Sequence, residues 1–152
     1  AAARYMPYAL GFKHKHLPEL KRYSGLAGDP LFQPAVINVR QGMATFVPLQ
    51  LCVLDKVPTG AELHAAIAGY FAGIEGSFVD VAPLEAIEKS ALLDPTRHND
   101  TNRMTLHVFA NDKRAQALLV AVYDNLGKGA SGAAVQNLNL MLGVDAATSL
   151  AA

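Results

Sequence analysis

Met104-Thr105-Leu106-His107-Val108-Phe109-Ala110 and Gln116-Ala117-Leu118-Leu119-Val120-Ala121-Val122-Tyr123 flank the polar segment Asn111-Asp112-Lys113-Arg114. Two apolar runs of strand length joined by a short polar turn read as a β-hairpin. Upstream, Gly42 to Asp55 alternates in the same manner. Met43, Thr45, Val47, Leu49, Leu51 and Val53 fall on one face, and Ala44, Phe46, Gln50, Cys52 and Leu54 on the other. That predicts a long strand, apolar on both faces. Pro48 lacks an amide proton, so it places the strand at a sheet edge or marks a bulge. Ser77 to Val81 reads as a further strand. Thr59-Gly60-Ala61-Glu62 has capping-box spacing, and Leu63, Ile67, Tyr70 and Phe71 follow at helical intervals, predicting a helix from about Gly60 to Ala72. Past the glycines at 127, 129 and 132, Val135, Leu138 and Leu142 share a helical face that Gly143 is placed to end. The fold class is α+β: a largely antiparallel sheet with helices packed on one face.

The chain has 152 residues, the size of one ordinary domain able to bury roughly two-thirds of its unfolded surface. No repeat or low-complexity linker divides it, so residues 1–152 read as a single domain. Hydrophobic residues make up 51% and charged ones 17%, leaving little polar material to cover the outside and predicting apolar surface that meets a partner. Thirteen basic and thirteen acidic residues cancel, which argues against nucleic acid as a partner. The longest apolar run, Ala117 to Tyr123, is far short of a membrane span, and no signal peptide opens the chain. Cys52 stands alone, so no intrachain disulfide can form. A soluble, cytoplasmic protein is expected.

Chemistry concentrates in Lys13-His14-Lys15-His16-Leu17-Pro18-Glu19. Histidine exchanges protons near neutral pH, and two of them sit here one residue apart between cations. In an extended segment His14 and His16 point one way and Lys13 and Lys15 the other, while Pro18 suits the first turn of a short helix ending near Ser24. Taken alone, His-x-His is more often a solvated basic loop than a site. Gly127-Lys128-Gly129-Ala130-Ser131-Gly132 invites a phosphate-loop reading, but no Ser or Thr follows the lysine, as a nucleotide P-loop needs. Cys52, in mid-strand without a glycine turn or positive neighbours, reads as a packed residue and not a nucleophile.

His14-Lys15-His16-Leu17-Pro18-Glu19 resembles the His-basic-His-x-Pro-Glu segment of the N-acetyl-gamma-glutamyl-phosphate reductases. The resemblance continues through Arg40-Gln41-Gly42-Met43, Asn99-Asp100-Thr101-Asn102, and the tail from Asp124-Asn125-Leu126-Gly127 to Gly143. The chain reads Gln33-Pro34-Ala35 where the common form has Thr-Pro-His, which is similar to the shorter-chain subgroup. The family's Gly-Cys-Tyr-Pro-Thr motif, with its catalytic cysteine, and its dinucleotide fingerprint do not occur in these residues. The resemblance therefore covers the C-terminal substrate and dimerisation half, with a sheet like that of the C-terminal domain of glyceraldehyde-3-phosphate dehydrogenase-type enzymes.

The resemblance implies reduction of an acyl phosphate to an aldehyde, in arginine biosynthesis. A thiolate from the other half displaces phosphate, NADPH delivers hydride to the thioester, and the thiohemiacetal collapses. His16 is the implied acid–base group, with His14 and Glu19 orienting it or the substrate. Arg40 would hold an anionic end of the substrate, and Lys13 would be a further substrate-binding residue. NADP would be bound mainly by a separate N-terminal domain to which residues 124–143 return, making Asn125, Gly129 and Ser131 cofactor neighbours. A homo-oligomer is implied as well. Two other readings compete. One is a metal site on His14 and His16, which needs a third ligand that His64, His98 and His107 do not supply at motif spacing, so no metal is expected. The other is a non-catalytic dimerisation or regulatory domain that keeps the fold.

Overall fold

A computed structural model of the protein describes residues 5–84 and 93–152. The chain divides into two compact units, Ala1–Arg40 and Gln41–Ala152. No proline- or glycine-rich linker marks that division in the sequence.

In the first unit, β1 (Tyr5–Pro7) pairs antiparallel with β2 (Ala35–Ile37), Tyr5 facing Ile37 and Pro7 facing Ala35. Strands this short show no period, so alternation could not announce them. Between them lies α1 (Leu17–Ser24), as anticipated from Pro18. Pro18 occupies its first turn with Glu19, Lys21 and Arg22 fall in its last, and Gly25 closes it at φ 73°. Each placement suits the helix dipole or the backbone requirement of its position.

The second unit runs β3 (Met43–Gln50), α2 (Gly60–Ala72), β4 (Val79–Val81), β5 (Met104–Asn111), β6 (Gln116–Tyr123) and α3 (Gly132–Leu142). Its strands form one sheet in the order β3-β6-β5-β4. Both pairings of β6 are antiparallel and β4 runs parallel to β5, giving the α+β class expected. The hairpin β5-β6 turns at Asp112–Arg114, where the Asn111 side chain accepts from the Arg114 amide. β6 is an inner strand, paired along both edges; Val120 and Val122 on one face are each 2% exposed, and Leu119, Ala121 and Tyr123 on the other are half-buried. β3 lies at the edge, where Pro48 is tolerated. The Thr59 and Glu62 capping box forms as read, with the Thr59 amide donating to Glu62 and the Glu62 amide to Thr59. α2 packs on β4 and β5, close enough that a Cβ on Gly60 would lie 2.5 Å from that of Ala110.

Two boundaries and one helix face differ from expectation. β3 stops at Gln50, because β6 begins at its partner Gln116. The Leu51 amide then donates to the Ala115 carbonyl, and Leu51–Val53 turns as a 3-10 helix. β4 loses Ser77 and Phe78, since Gly76 and Phe78 adopt left-handed φ of 66° and 57°. On α3, Leu138 and Leu142 point outward, 51% and 67% exposed, whereas the polar Asn139 is buried. Its amide donates to the Ala146 and Thr148 carbonyls and so folds the following segment back. Phe46 and Val47 on β3 and Met141 on α3 are also exposed, as the apolar composition foretold. No helix among the described residues is long and apolar enough to cross a membrane.

Candidate functional site

His14 to Leu17 turns into α1 and does not run extended, because the Leu17 amide donates to the His14 carbonyl at 3.1 Å. His16 becomes the residue that caps α1. The two imidazoles nevertheless meet, edge to face, with centroids 4.7 Å apart. What joins them is local: the His16 amide donates to Nδ1 of His14 at 3.2 Å. Phe32 packs edge-on against His14 at 5.1 Å and lies 6.5 Å from His16, and Tyr8 lies 5.8 Å from His14. Neither aromatic could be found from motif spacing, since both come from segments flanking the motif.

His14 is partly buried and His16 exposed. The nitrogens of the His16 ring make no hydrogen bond among the described residues. Lys13, Glu19 and Arg40 are exposed. Among the described residues none of them forms an ion pair, and Glu19 makes no bond to either histidine. The carboxylate that the motif offers as an orienting group is here a first-turn helix residue.

Asn125, Gly129 and Ser131 belong to the other unit, at the end of its sheet, where three of the quoted motifs converge on a buried carboxylate. Asp124, 2% exposed, accepts from the side chain of Gln41 at 3.1 Å and from the amides of Asp100 and Leu126 at 2.8 Å each. Gln41 also donates to the Asp100 carboxylate, and Asn99 to the Gln41 carbonyl. Asn125 accepts from the Gly42 amide at 2.7 Å. Gly42, at φ 112°, faces Pro95 so closely that a Cβ would sit 2.5 Å from its carbonyl oxygen. Arg40-Gln41-Gly42-Met43, Asn99-Asp100-Thr101-Asn102 and the Asp124 tail thus lock one another's backbones. Sequence reading missed Gln41 and Asp124 in this role, although both stood inside the motifs.

The glycine-rich segment does not offer an anion cradle. Gly127–Ser131 is a π-helical turn running straight into α3. The Gly129 amide is bonded to the Asp124 carbonyl and the Ser131 amide to Leu126, while the Ser131 hydroxyl donates to Leu126 as well. The Asp124 carboxylate already occupies the mouth of the turn. Lys128 points inward to the Ser77 carbonyl and Gln136, over the Phe78 ring, and burial holds its pKa below the usual lysine range. With these donors committed inside the turn, the segment does not fit a dinucleotide phosphate.

Cys52 is exposed in the 3-10 turn, not packed in mid-strand as expected, because the chain leaves the sheet at Gln50. Of the remaining histidines, His64 Nε2 lies 2.8 Å from the Ala82 carbonyl, and His107 stacks on Phe109. His98 is buried against Thr105 at 2.7 Å. Among the described residues no three His, Cys, Asp or Glu side chains come together as a metal site requires.

The family described as semialdehyde dehydrogenase, dimerisation domain, matches residues 1–125. An N-acetyl-gamma-glutamyl-phosphate reductase of Chelativorans sp. is 67% identical over 141 residues, 93% of this chain and 46% of that protein. One from Mesorhizobium japonicum is 64% identical over 94% of the chain and 46% of its own length. N-acetyl-gamma-glutamyl-phosphate reductase 2 of Nostoc sp. is 52% identical over 90% and 43%. The chain spans about half the length of the curated relatives it matches.

Proposed function

The chain belongs to the semialdehyde dehydrogenase dimerisation-domain family, and on that premise we propose that it is the substrate and dimerisation part of an N-acetyl-gamma-glutamyl-phosphate reductase. The observation that carries this reading is the imidazole pair at the head of α1, 4.7 Å apart, with the His16 ring exposed and uncommitted. An acyl-phosphate reductase needs a group that takes a proton from a thiol and returns one to a carbonyl oxygen. His16 is that group. Its thiol partner comes from the part of the enzyme these residues do not span. Arg40, exposed and without a carboxylate partner among the described residues, holds an anionic end of N-acetyl-glutamyl phosphate by paired guanidinium bonds. NADP is bound by the nucleotide domain of the same enzyme, against which the exposed apolar side of α3 rests. The assembly is a homo-oligomer of a cytoplasmic enzyme, and Phe46 and Val47 on the edge strand supply apolar contact.

The test is made in a complete reductase carrying this chain. His16→Ala lowers kcat by roughly 10²–10⁴ with a much smaller change in KM, as loss of an acid–base group does. Arg40→Ala does the reverse, raising KM more than it lowers kcat. Near-normal turnover of His16→Ala would remove the acid–base assignment.

A further inference from the structure

We infer that His14 is a positioning residue, locked as its Nε2–H tautomer by the His16 backbone, and that the proton traffic of the pair belongs to His16 alone. The inference rests on the acid–base reading of this site and deepens it. The His16 amide donates to Nδ1 of His14 at 3.2 Å, so Nδ1 must present a lone pair. A neutral imidazole then carries its one proton on Nε2. Protonating Nδ1 would set two N–H groups against each other and break this bond. A proton shuttle at His14 would therefore undo, in every cycle, the contact that shapes the turn.

His16 carries no such constraint on its ring, and its backbone is held on both sides. Its amide is bonded to His14, and its carbonyl accepts from the Leu20 amide at 2.9 Å. The lock is braced from outside. Phe32 packs edge-on against the His14 ring at 66°, and His14 in turn packs edge-on against His16 at 68°. Phe32, His14 and His16 form a chain of contacts whose last member is the free imidazole. The residue before α1 is held at a fixed angle while its side chain stays open to substrate.

An asparagine carbonyl oxygen can stand where Nδ1 stands and accept the same amide, but it does not titrate. In a complete reductase carrying this chain, His14→Ala is expected to lower kcat by roughly 10²-fold, the scale of misplacing a reacting group by about an ångström. His14→Asn is expected to recover about tenfold of that loss and to keep the acid limb of the kcat/KM pH profile, which His16→Ala abolishes. If His14→Asn falls as far as His16→Ala and loses the limb, His14 is the proton carrier and the inference is wrong. Wild-type turnover in His14→Ala refutes it equally. Long-range 1H–15N spectra of the 152-residue chain give a readout independent of activity. His14 is expected with Nε2 protonated and Nδ1 bare, and an Nδ1–H form overturns the inference. A wild-type enzyme without reductase turnover would instead sink the proposed function, leaving the tautomer result standing.

Discussion

His98 is an imidazole whose charged form the fold opposes. It is 8% exposed, and its Nε2 is committed to Thr105. Burial lowers its pKa from the ordinary 6.5, with Arg97 and Arg103 adding to the effect and Asp80 opposing it. As the pH falls the unfolded chain takes up this proton before the folded one does. Stability from this residue is thus fully present above about pH 6.5 and is lost as the pH drops toward the lowered folded value. The depressed carboxyls of Glu62 and Asp94, both held down by hydrogen bonds from threonine, act in the same direction in a separate and more acidic window. The denaturation midpoint of the chain is predicted to fall between about pH 7 and 5.5, with a smaller slope in His98→Gln. A flat midpoint over that range contradicts the assignment. The candidate site was only partly legible at this scale. His14 and His16 announced themselves by spacing, but Tyr8 and Phe32 reach them by tertiary contact, which spacing does not encode. Cys52 was misread because the strand was drawn too long, and an exposed 3-10 turn looks like alternation over so few residues.

Elements were legible where local chemistry alone decides them. The capping box set the start of α2, Pro18 set that of α1, and the polar turn fixed the hairpin. They were illegible where a partner decides them: β3 ends where β6 begins, and the apolar residues of α3 turn outward because Asn139 takes the inner place. The glycines of the helices separate propensity from packing in a testable way. Gly69, inside α2, has nothing within 4 Å of a modest Cβ, so Gly69→Ala is predicted to stabilise by about 0.5–1 kcal/mol. Gly132, opening α3, would drive a Cβ into the Asn102 side-chain oxygen and the Gly127 carbonyl. Gly132→Ala is predicted to destabilise by about 1–3 kcal/mol despite the same gain in helix propensity. Urea unfolding of the two variants checks the contrast. Equal shifts of one sign would mean that the motif glycines are not there for close approach.

At the scale of the whole molecule, residues 1–152 hold a pair of imidazoles, one of them exposed, and an interlocked set of motif loops. They hold neither the cysteine motif nor the dinucleotide fingerprint that the reductase chemistry also requires. The Asp124 network gives much of the quoted motif a structural task within the second unit, where those residues fix one another's backbones. Differential stabilisation of the reaction needs thiol, hydride donor and proton carrier in one site. The most direct measurement follows NADP reduction by N-acetyl-glutamate semialdehyde and phosphate, with this chain alone and with the portion of the Chelativorans relative that it does not match added in trans or fused. The chain alone is predicted to give no turnover, and the combined protein to turn over in a manner that His16→Ala suppresses. Turnover by the 152 residues alone, abolished by Cys52→Ser, would contradict the account.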